Sequence, residues 1–564
     1  MDLISLIADM TDRAIPYILA AQVNDESSPF NGGQIAKGKG FAEPFSGFSN
    51  ADTLLAAYFY PQSAYYKSQE VLNAAIRALE YLLNATHDDG TLDLLETNFH
   101  DATLNGFAMK ILGYTHHLVK QHAKTTAEKH ALGLISQFAE KSVEAMYYGG
   151  FHTPNHRWVM ASGLAFCYAI TRDERCIEMA ELYLAEGIDC NEEGDYAERS
   201  AGIYDAVTNN ALIIIAEQLG KPELLDYVRR NLNRLMYNIE PTGLLQTLTS
   251  RRQDYGKDAS PAPHLWAYSF MAARDNNPQF AQMARCIQDN IVAGLRPGAP
   301  PEVEHSALTH HNLLTKLMLI PLPLPCPAVQ ETPLPLQYKK NYPLAGAARY
   351  RSGKLTITAL KENSTCLKIQ YGHLRVFCKL ACTFFGDGRF LAQQLQETAE
   401  GFRLSSHVQS GYRRPLKDVT DPDWYALPHE QRQQANMQNH DWILEVLPLP
   451  ADNAVQLRIN TQGTPNIPWK LEFILDPGGM LYSGGVILPG NKSGWAVLGA
   501  DAVYSIGGEY ICINGGLGLH EYGPRMRNAD PVSVEQFTLY HTGFTPARHD
   551  VCLTFGEGYH KVIE

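Results

Sequence analysis

Residues 320–337 read IPLPLPCPAVQETPLPLQ and contain six prolines within 18 positions. Proline lacks a backbone N–H and clashes with the preceding helical turn, so this stretch is typical of an extended linker. Before it, apolar residues recur at helical spacing, and after it apolar and polar residues alternate. We therefore predict a helical domain over 1–325, a proline-rich linker over 326–340 and a strand-rich domain over 341–564.

The part before the prolines is helical in pattern and repeats itself. In residues 68–84, Ser68 is placed to cap a helix, and an apolar stripe follows at helical spacing. The stripe consists of Leu72, Ile76, Leu79 and Leu83. Polar loops recur with final glycines at positions 90, 150, 194 and 243, so the gaps are 60, 44 and 49 residues. Each gap suits one helical hairpin and its return, which predicts an internal αα repeat.

The part after the prolines alternates apolar and polar residues over short segments. These segments are 354–360, 366–371, 374–378, 455–459, 469–475 and 551–555. Turn sequences separate them and no helical pattern lies between, which favours an antiparallel β-sandwich. The predicted fold is thus multidomain, α then β: an incomplete (α/α) toroid of helical hairpins followed by an antiparallel sandwich. If the hairpins close in a ring, their polar loops meet at one end and form a cleft.

Composition excludes several classes of protein. The chain has 564 residues, 45% of them hydrophobic, and 56 aromatic residues, which excludes a disordered or collagen-like protein. Lys and Arg number 47 against 60 Asp and Glu, a net charge of −13, and no run of five basic residues occurs. A nucleic-acid partner or an anionic membrane surface is therefore not expected. An acidic ligand would need cationic groups gathered in one place.

The remaining whole-chain signals concern location. The N-terminal sequence MDLISLIADMTDRAIPYILAAQ has acidic residues among apolar ones, which predicts an amphipathic helix and not a signal peptide. No apolar run approaches the roughly 18 residues of a membrane span. The ten cysteines are scattered without a Cys-x-x-Cys pair, as in reduced intracellular proteins. We expect a cytoplasmic protein, and the sequence leaves homo-oligomerisation open.

Polar strings follow the recurring loops. They are Asn98-Phe-His100-Asp101, Asn155-His156-Arg157-Trp158, the segment 196–204 (YAERSAGIY) and Arg251-Arg252-Gln-Asp-Tyr255. Each has an ordinary structural explanation: a helix cap for Asp101 or for Asn155-His156, a half-buried tyrosine for Tyr204, a surface charge pair for the arginines. Their recurrence at equivalent points of successive hairpins instead predicts one shared site.

The order of a helical toroid, a proline-rich passage and a large β-sandwich resembles the heparinase II/III-like polysaccharide lyases and their alginate-lyase relatives. That family has an Asn-His pair in one inter-helix loop and, about one hairpin later, a catalytic Tyr in a segment Glu-x-Ser-Pro-x-Tyr-His. Asn155-His156 and the segment from Glu198 to Tyr204 look like these elements, 48 residues apart from His156 to Tyr204. Ala201 stands in place of the proline, one residue is extra, and Asp205 replaces the final histidine.

The resemblance implies a carbon–oxygen lyase that breaks the bond to O4 of a uronate by β-elimination, with an acidic carbohydrate as substrate. Its smaller group of rhamnose–glucuronate lyases implies exo-acting cleavage between L-rhamnose and D-glucuronate. The candidate catalytic residues are His100, Asn155, His156 and Tyr204. The candidate substrate-binding residues are Arg157, Trp158, Arg199, Arg251, Arg252 and Tyr255. Either histidine suits a base, and Tyr204 suits an acid, or both base and acid if the bond geometry is syn. Asn155 with Arg157 suits a carboxylate clamp, and Tyr255, Trp158 and Trp266 suit stacking surfaces.

Two other classes of protein stay open. A glycoside hydrolase would need two carboxylates about 5–10 Å apart, and Asp101, Glu198 and Asp205 are candidates. A non-catalytic protein that binds acidic glycans would use the same cleft without turnover. His305, His310 and His311 lie close together without a carboxylate or cysteine at matching spacing, so we expect no metal and no other cofactor.

Overall fold

The computed structural model describes residues 2–294, 313–322, 333–417, 419 and 421–558. Residues 326–332 of the predicted linker and the three histidines His305, His310 and His311 lie outside the described residues. Within these ranges the chain divides into two units. The first comprises Met1–Ile239 and Gly243–Leu334, and the second comprises Glu240–Thr242 and Pro335–Glu564. The short segment Glu240–Thr242 thus groups with the second unit, although the prediction had placed it in the helical domain.

The first unit contains 12 α-helices among the described residues. They are α1 (Leu3–Ala21), α2 (Pro44–Phe59), α3 (Gln69–Asn84), α4 (Ala102–His122), α5 (Thr126–Tyr148), α6 (Pro154–Thr171), α7 (Arg175–Ala185), α8 (Tyr204–Leu219), α9 (Leu225–Met236), α10 (Leu265–Asp275), α11 (Pro278–Gly294) and α12 (Leu314–Leu319). Helix α3 begins where the sequence predicts, because the Ser68 side chain accepts a hydrogen bond from Val71 N. No helix within the described residues is long and apolar enough to cross a membrane.

The helices form an incomplete α/α toroid. Helices α2, α4, α6, α8 and α10 pack one against the next, and α3, α5, α7, α9 and α11 return the chain between them. Buried apolar side chains from both rows form one continuous core. Since an antiparallel return separates each inner helix from the next, the inner helices run in the same direction. Their N-terminal ends therefore lie at one end of the toroid, as the sequence predicts for its polar strings.

An amide side chain holds the glycine carbonyl in four of the loops. The donors and glycines, with donor–oxygen distances, are Gln22 to Gly32 (3.0 Å), Asn105 to Gly90 (2.8 Å), Asn231 to Gly194 (2.9 Å) and Asn290 to Gly243 (3.1 Å). Gly194 has a φ of +94°, and a Cβ there would lie 2.5 Å from the Arg230 carbonyl oxygen on α9. Only glycine fits so close to a neighbouring helix in this backbone conformation. The loops are thus fixed to the helices by the same device.

A two-stranded ribbon within the helical unit was not predicted. Strand β1 (Leu92–Leu94) pairs antiparallel with β2 (Asn98–Asp101), directly before α4. The sequence LDLLETNFHD has no sustained alternation, so it does not predict a strand. The ribbon carries the first polar string.

The second unit is a sandwich of two nine-stranded sheets. Its strands are β3 (Gln337–Tyr342), β4 (Ala347–Ser352), β5 (Leu355–Leu360), β6 (Thr365–Tyr371), β7 (Leu374–Phe384), β8 (Asp387–Arg389), β9 (Gln394–Glu397), β10 (Phe402–Arg413), β11 (Gln434–Leu449), β12 (Ala454–Gly463), β13 (Pro468–Leu475), β14 (Met480–Ser483), β15 (Val486–Pro489), β16 (Trp495–Val497), β17 (Ala502–Ile506), β18 (Glu509–Asn514), β19 (Phe537–Phe544) and β20 (Ala547–Glu557). Five of the six predicted strand segments lie within these strands, and the sixth, 354–360, begins one residue before β5.

The two sheets share one apolar core. One sheet has the order β15-β14-β17-β18-β20-β12-β11-β10-β9, and the other has the order β16-β19-β13-β7-β6-β5-β4-β3 with β8 beside β7. Inward-facing residues of both sheets form the buried cluster. The pairing is antiparallel except at β16, which runs parallel to β19. The fold is therefore the predicted one, with one short parallel edge strand added.

Candidate active site

The polar strings lie at the N-terminal ends of consecutive inner helices. Asp101 caps α4, because its carboxylate accepts a hydrogen bond from Thr103 N at 2.8 Å. Pro154 occupies the first turn of α6, where its missing N–H costs nothing, and places Asn155 and His156 in the same turn. Tyr204 is the first residue of α8. The fourth string, Arg251 to Tyr255, precedes α10.

Three of these strings meet in one polar cluster. The Asn155 side chain donates from Nδ2 to Glu198 Oε2 at 2.8 Å, and the Arg252 guanidinium is 3.0 Å from Glu198 Oε1. The same guanidinium lies over the Tyr204 ring, 4.6 Å from its centroid. Gln253 Nε2 donates to the Tyr204 hydroxyl oxygen at 2.6 Å. We call these five residues the Arg252 cluster, since Arg252 contacts two of the other four.

His156 stands beside this cluster in a largely buried position. Burial lowers its pKa to about 4, and the charge of Arg252 acts in the same direction while Asp101 opposes it. Its ring packs edge-on against Phe107 at 5.9 Å between centroids. Its Nδ1 is buried and has no hydrogen-bond partner among the described residues. Near pH 7 His156 is therefore a neutral imidazole that can accept a proton.

Hydrogen bonds with Asp254 and His264 fix the loop that leads to Tyr204. Asp254 accepts hydrogen bonds from the Ser200 hydroxyl and from Gly202 N, each at 3.0 Å. His264, which is fully buried, has its Nε2 2.7 Å from the Ala201 carbonyl oxygen. Burial lowers the pKa of His264 to about 4, so this ring is neutral and Nε2–H donates to the carbonyl. These bonds fix the backbone from which Tyr204 projects.

His100 does not join the Arg252 cluster. Its Nδ1 lies 2.6 Å from Asp89 Oδ2, and its ring stacks on the His87 ring with centroids 4.1 Å apart. Its backbone N–H donates to Asp93 Oδ1 at 2.8 Å. No contact joins His100 to His156 or Tyr204 among the residues described in the helical unit. The structure thus separates the two histidines that the sequence offered as alternative bases.

Protein groups engage Arg157 and Trp158, which the sequence predicts as substrate-binding residues. The Arg157 guanidinium lies 3.0 Å from Glu186 and 3.3 Å from Asp189, so two carboxylates already occupy it. It also covers the Trp158 ring at 4.5 Å. Trp158 is 0% exposed and donates from Nε1 to Asp189 at 2.8 Å. A ring without exposed surface offers no stacking face, and the same objection applies to the buried Trp266.

The other predicted binding residues lie at the rim of the cluster. Arg251 is exposed, its NH1 is 3.4 Å from the Ala197 carbonyl oxygen, and its backbone N–H donates to the Glu198 carbonyl. Arg199 is half-buried with a φ of +49°. Tyr255 is exposed. These side chains add positive charge and one aromatic ring around Arg252.

The three candidate carboxylates differ in environment. Glu198 is buried, which raises its pKa, although Asn155 and Arg252 oppose that shift. Asp205 is buried more deeply, and burial raises its pKa to about 8, with the nearby Asp195 charge acting in the same direction. Asp101 is used as a helix cap. Of the three, only Glu198 belongs to the Arg252 cluster.

The sequence does not indicate how Glu198 and Gln253 contribute to this cluster. It offers Glu198 as the first residue of the segment that ends at Tyr204 and as a possible hydrolase carboxylate, and it gives Gln253 no role. Only their position in the sequence points to them: Glu198 lies in the same string as Tyr204, and Gln253 directly follows Arg252. As for metals, the described residues contain no group of three or more His, Cys, Asp or Glu side chains arranged to hold an ion.

Comparison with solved structures finds the same fold along the whole chain. Xanthan lyase from Paenibacillus has a TM-score of 0.52 at 10% identity, and the alignment covers 99% of this chain and 57% of that one. Chondroitin AC lyase from Streptomyces coelicolor A3 has a TM-score of 0.52 at 12% identity, covering 100% and 80%. The same enzyme in complex with chondroitin sulphate gives 0.50 at 13% identity and the same coverage.

No protein-family model matches this sequence, and a search of curated proteins finds no similar one. The chain spans just over half of the xanthan lyase chain that it matches, 57% of its length. At identities of 10–13% the likeness shows the fold alone. The chain therefore has the fold of these polysaccharide lyases, a helical toroid followed by a sheet-rich domain.

Proposed function

We propose that this protein is a polysaccharide or oligosaccharide lyase that cleaves the bond to O4 of a uronate residue by β-elimination. The observation that carries the proposal is the Arg252 cluster with His156 beside it. It combines a cation, a tyrosine hydroxyl and a neutral imidazole at one end of the toroid. The shared fold with xanthan lyase and chondroitin AC lyase supports the same class of reaction.

The proposed reaction needs a cation, a base and an acid, and the Arg252 cluster and the neighbouring His156 supply them. Arg252, with Arg251 and Arg199 at the rim, neutralises the uronate carboxylate, which gains negative charge in the transition state. His156 takes the C5 proton, its Nε2 being the nitrogen that is not enclosed. The electron pair of the C5–H bond becomes the C4–C5 double bond, and the C4–O4 bond breaks.

Tyr204 is the proposed acid for the departing oxygen. Its hydroxyl oxygen accepts a hydrogen bond from Gln253, so its own hydrogen stays available for donation to O4. Asn155 is 1% exposed, and its Nδ2 is bonded to Glu198. We therefore assign Asn155 and Glu198 to positioning Arg252, and not to direct contact with the carboxylate.

The most specific candidate substrate is a glycan ending in L-rhamnose linked α-1,4 to D-glucuronate, cleaved from its end. This choice rests on the resemblance of the whole layout to rhamnose–glucuronate lyases. The site supports the uronate part of the choice through its arginines. The second candidate function is a glycoside hydrolase, which the raised pKa of Glu198 favours because a general acid must hold a proton.

A panel of uronate-containing glycans tests both functions. A lyase product carries a conjugated double bond that absorbs in the near ultraviolet, whereas a hydrolase product does not and has gained a water by mass. We expect ultraviolet-absorbing products and a fall in turnover by about 10²–10⁴-fold in Tyr204→Phe and in His156→Ala. Products that carry added water would favour the hydrolase, and full activity in both variants would refute the site.

His100→Ala and Tyr255→Phe serve as comparison variants in the same assay. His100 is exposed and contacts His87, Asp89 and Asp93, whereas Tyr255→Phe removes only the hydroxyl of an exposed side chain and keeps its ring. We expect each to retain turnover within about tenfold of the wild type, since neither holds a reacting group in this proposal. A loss in His100→Ala as large as that in His156→Ala would return the role of base to His100.

A further inference from the structure

The end of one sheet in the second unit encloses a cavity of about 560 Å³. Strands β14, β15, β17, β18 and β20 contribute to its wall, and the β14–β15 hairpin forms one side. We call it the hairpin pocket and define it by the residues used below. They are Tyr482, Ile487, Asp501, Val503, Asn514 and Thr554. All of them lie within the second unit, and none belongs to the Arg252 cluster.

The register of the sheet explains how the pocket forms. Tyr482 pairs with Val503, Val503 with Cys512, and Cys512 with Thr554, so these side chains form a row on one face. The neighbouring positions, such as Leu481 and Ile511, point the other way into the core. At the end of β14, Gly484 and Gly485 have φ values of +55° and +80°, which turns β15 beside this row.

The polar side chains of Tyr482, Asp501 and Asn514 lie in the wall of the pocket, and hydrogen bonds hold one of them, Asp501. Asp501 is held by a hydrogen bond from Gly515 N to its Oδ1 at 2.8 Å, and its carbonyl accepts from the Ser483 hydroxyl at 3.0 Å. Asn514 lies on the next strand. In the described part of the second unit, no protein group bonds Asp501 Oδ2, the Tyr482 hydroxyl or the Asn514 amide. These three groups are available to a ligand.

The chemistry of the wall selects a class of ligand. A carboxylate oxygen accepts from hydroxyl groups, and an amide both donates and accepts, so the pair recognises a polyhydroxylated molecule. Tyr482, Val503 and Ile487 offer aromatic and apolar surface to the C–H faces of a ring. Asp501 is the one charged side chain in the wall, so it repels an anion. A cavity of this size holds a small ligand of one or two rings.

We propose that the hairpin pocket binds a neutral sugar unit, at a second site separate from the Arg252 cluster. The two sites then have opposite charge preferences. The arginine-rich cluster suits a uronate, and the pocket with its single carboxylate suits a residue without charge. This inference does not depend on the lyase proposal, because the pocket stands on its own contacts.

Binding to the full-length Tyr204→Phe variant tests the proposal without interference from turnover. Calorimetric or saturation-transfer NMR titrations would use D-glucose, D-galactose, L-rhamnose and cellobiose as neutral probes and D-glucuronate as the charged one. We expect saturable binding of at least one neutral probe. Glucuronate can also bind the Arg252 cluster, so its binding to the pocket is read as the part lost in Asn514→Ala, and we expect that part to be weaker. Adding Asn514→Ala or Tyr482→Ala should weaken the binding of the neutral probe by about tenfold or more, the loss expected for a hydrogen bond or a ring contact.

Two further variants sharpen the test. Asp501→Asn keeps the shape of the pocket and removes its charge, so glucuronate should approach the affinity of the neutral probe. Tyr412→Ala removes a tyrosine that is 64% exposed on β10 of the same sheet, and it should leave the affinity for every probe unchanged. No saturation by any neutral probe would overturn the proposal, as would equal affinity in all variants. Turnover of glycans by the chain with Tyr204 intact is measured separately by ultraviolet absorbance, so that failure of this pocket and failure of the lyase site can be told apart.

Discussion

At the scale of single residues, the Arg252 side chain contacts two other members of its cluster. Its guanidinium forms an ion pair with Glu198 and covers the Tyr204 ring, so it joins two polar strings that are about 50 residues apart in sequence. A planar guanidinium can make both contacts because it offers an edge to the carboxylate and a face to the ring. Arg251 makes only a long contact with a carbonyl oxygen.

The first prediction concerns this difference. Arg252→Lys keeps the charge but loses the planar fork, so we expect kcat/KM on a cleavable uronate glycan to fall by about 10–100-fold. Arg251→Lys is the matched control, since it makes the same chemical change next door at an exposed position. An equal kcat/KM in the two variants would show that the Arg252 side chain has no special role in the reaction.

A second prediction concerns the pH profile. Because burial lowers the pKa of His156 to about 4, its ring stays neutral until the pH falls through that value. We expect the acidic limb of kcat/KM to lie near pH 4, well below the ordinary histidine range around 6.5. The initial rate of ultraviolet absorbance from pH 3.5 to 8 measures this limb. A limb at 6.5 would exclude His156 as the base.

The sequence predicted which residues lie together better than it predicted their partners. Asn155, His156 and Tyr204 were found through their strings, and the structure brings them together around Arg252. Residue type alone does not reveal that Arg157 is engaged by Glu186 and Asp189, because these carboxylates lie about 30 residues later in the sequence. A role depends on which partners fold next to a side chain, and a single sequence does not contain that information.

At the scale of elements, the loops of the toroid are fixed by glycine. Gly194 approaches the Arg230 carbonyl of α9 too closely for any side chain and has a positive φ. The carbonyl of Gly194 also accepts a hydrogen bond from Asn231 on the same helix. The loop that leads to Tyr204 therefore starts from a defined position on α9.

The third prediction tests this anchor. Gly194→Ala should lower the free energy of unfolding by more than Gly220→Ala, measured by urea denaturation. Gly220 also has a positive φ, +66°, but a Cβ there would meet nothing within 4 Å. Gly220→Ala should thus cost only the left-handed backbone strain, roughly 1–2 kcal/mol. Equal costs would show that the contact with Arg230 is relaxed easily.

Elements with strong periodicity were predicted well, and short ones were not. Helix α3 begins one residue after its predicted cap, and β13 coincides with an alternating segment. The β1–β2 ribbon and the parallel strand β16 are only three or four residues long. Segments of that length are defined by the strands they pair with and not by their own pattern.

At the scale of the whole molecule, a segment from the helical part of the sequence belongs to the sandwich. Glu240 is 1% exposed and lies within the second unit. Its carboxylate is 3.1 Å from Arg349 and 3.3 Å from Lys368, and it accepts from the Thr356 hydroxyl at 2.6 Å. These cations hold the pKa of Glu240 at about 2 despite its burial. A proline-rich linker predicts where two domains separate, but it does not predict that a short segment before it belongs to the domain after it.

The fourth prediction follows from this buried carboxylate. Glu240→Gln leaves two buried cations without their negative partner, which should cost about 3–5 kcal/mol of unfolding free energy at pH 7. Glu535→Gln breaks an exposed pair with Lys492 and should cost about 1 kcal/mol or less. Chemical denaturation followed by tryptophan fluorescence compares the two. A small cost for Glu240→Gln would mean that water reaches this ion pair.

The amide–glycine anchors have a consequence for how specificity can change. In three of the anchored loops the fixed glycine, Gly90, Gly194 or Gly243, precedes the polar string along the chain. A string can therefore be replaced while the anchor that seats its loop is left in place. Substrate preference can be retuned one loop at a time, by natural divergence or by grafting, and the helical scaffold does not have to be redesigned with each exchange.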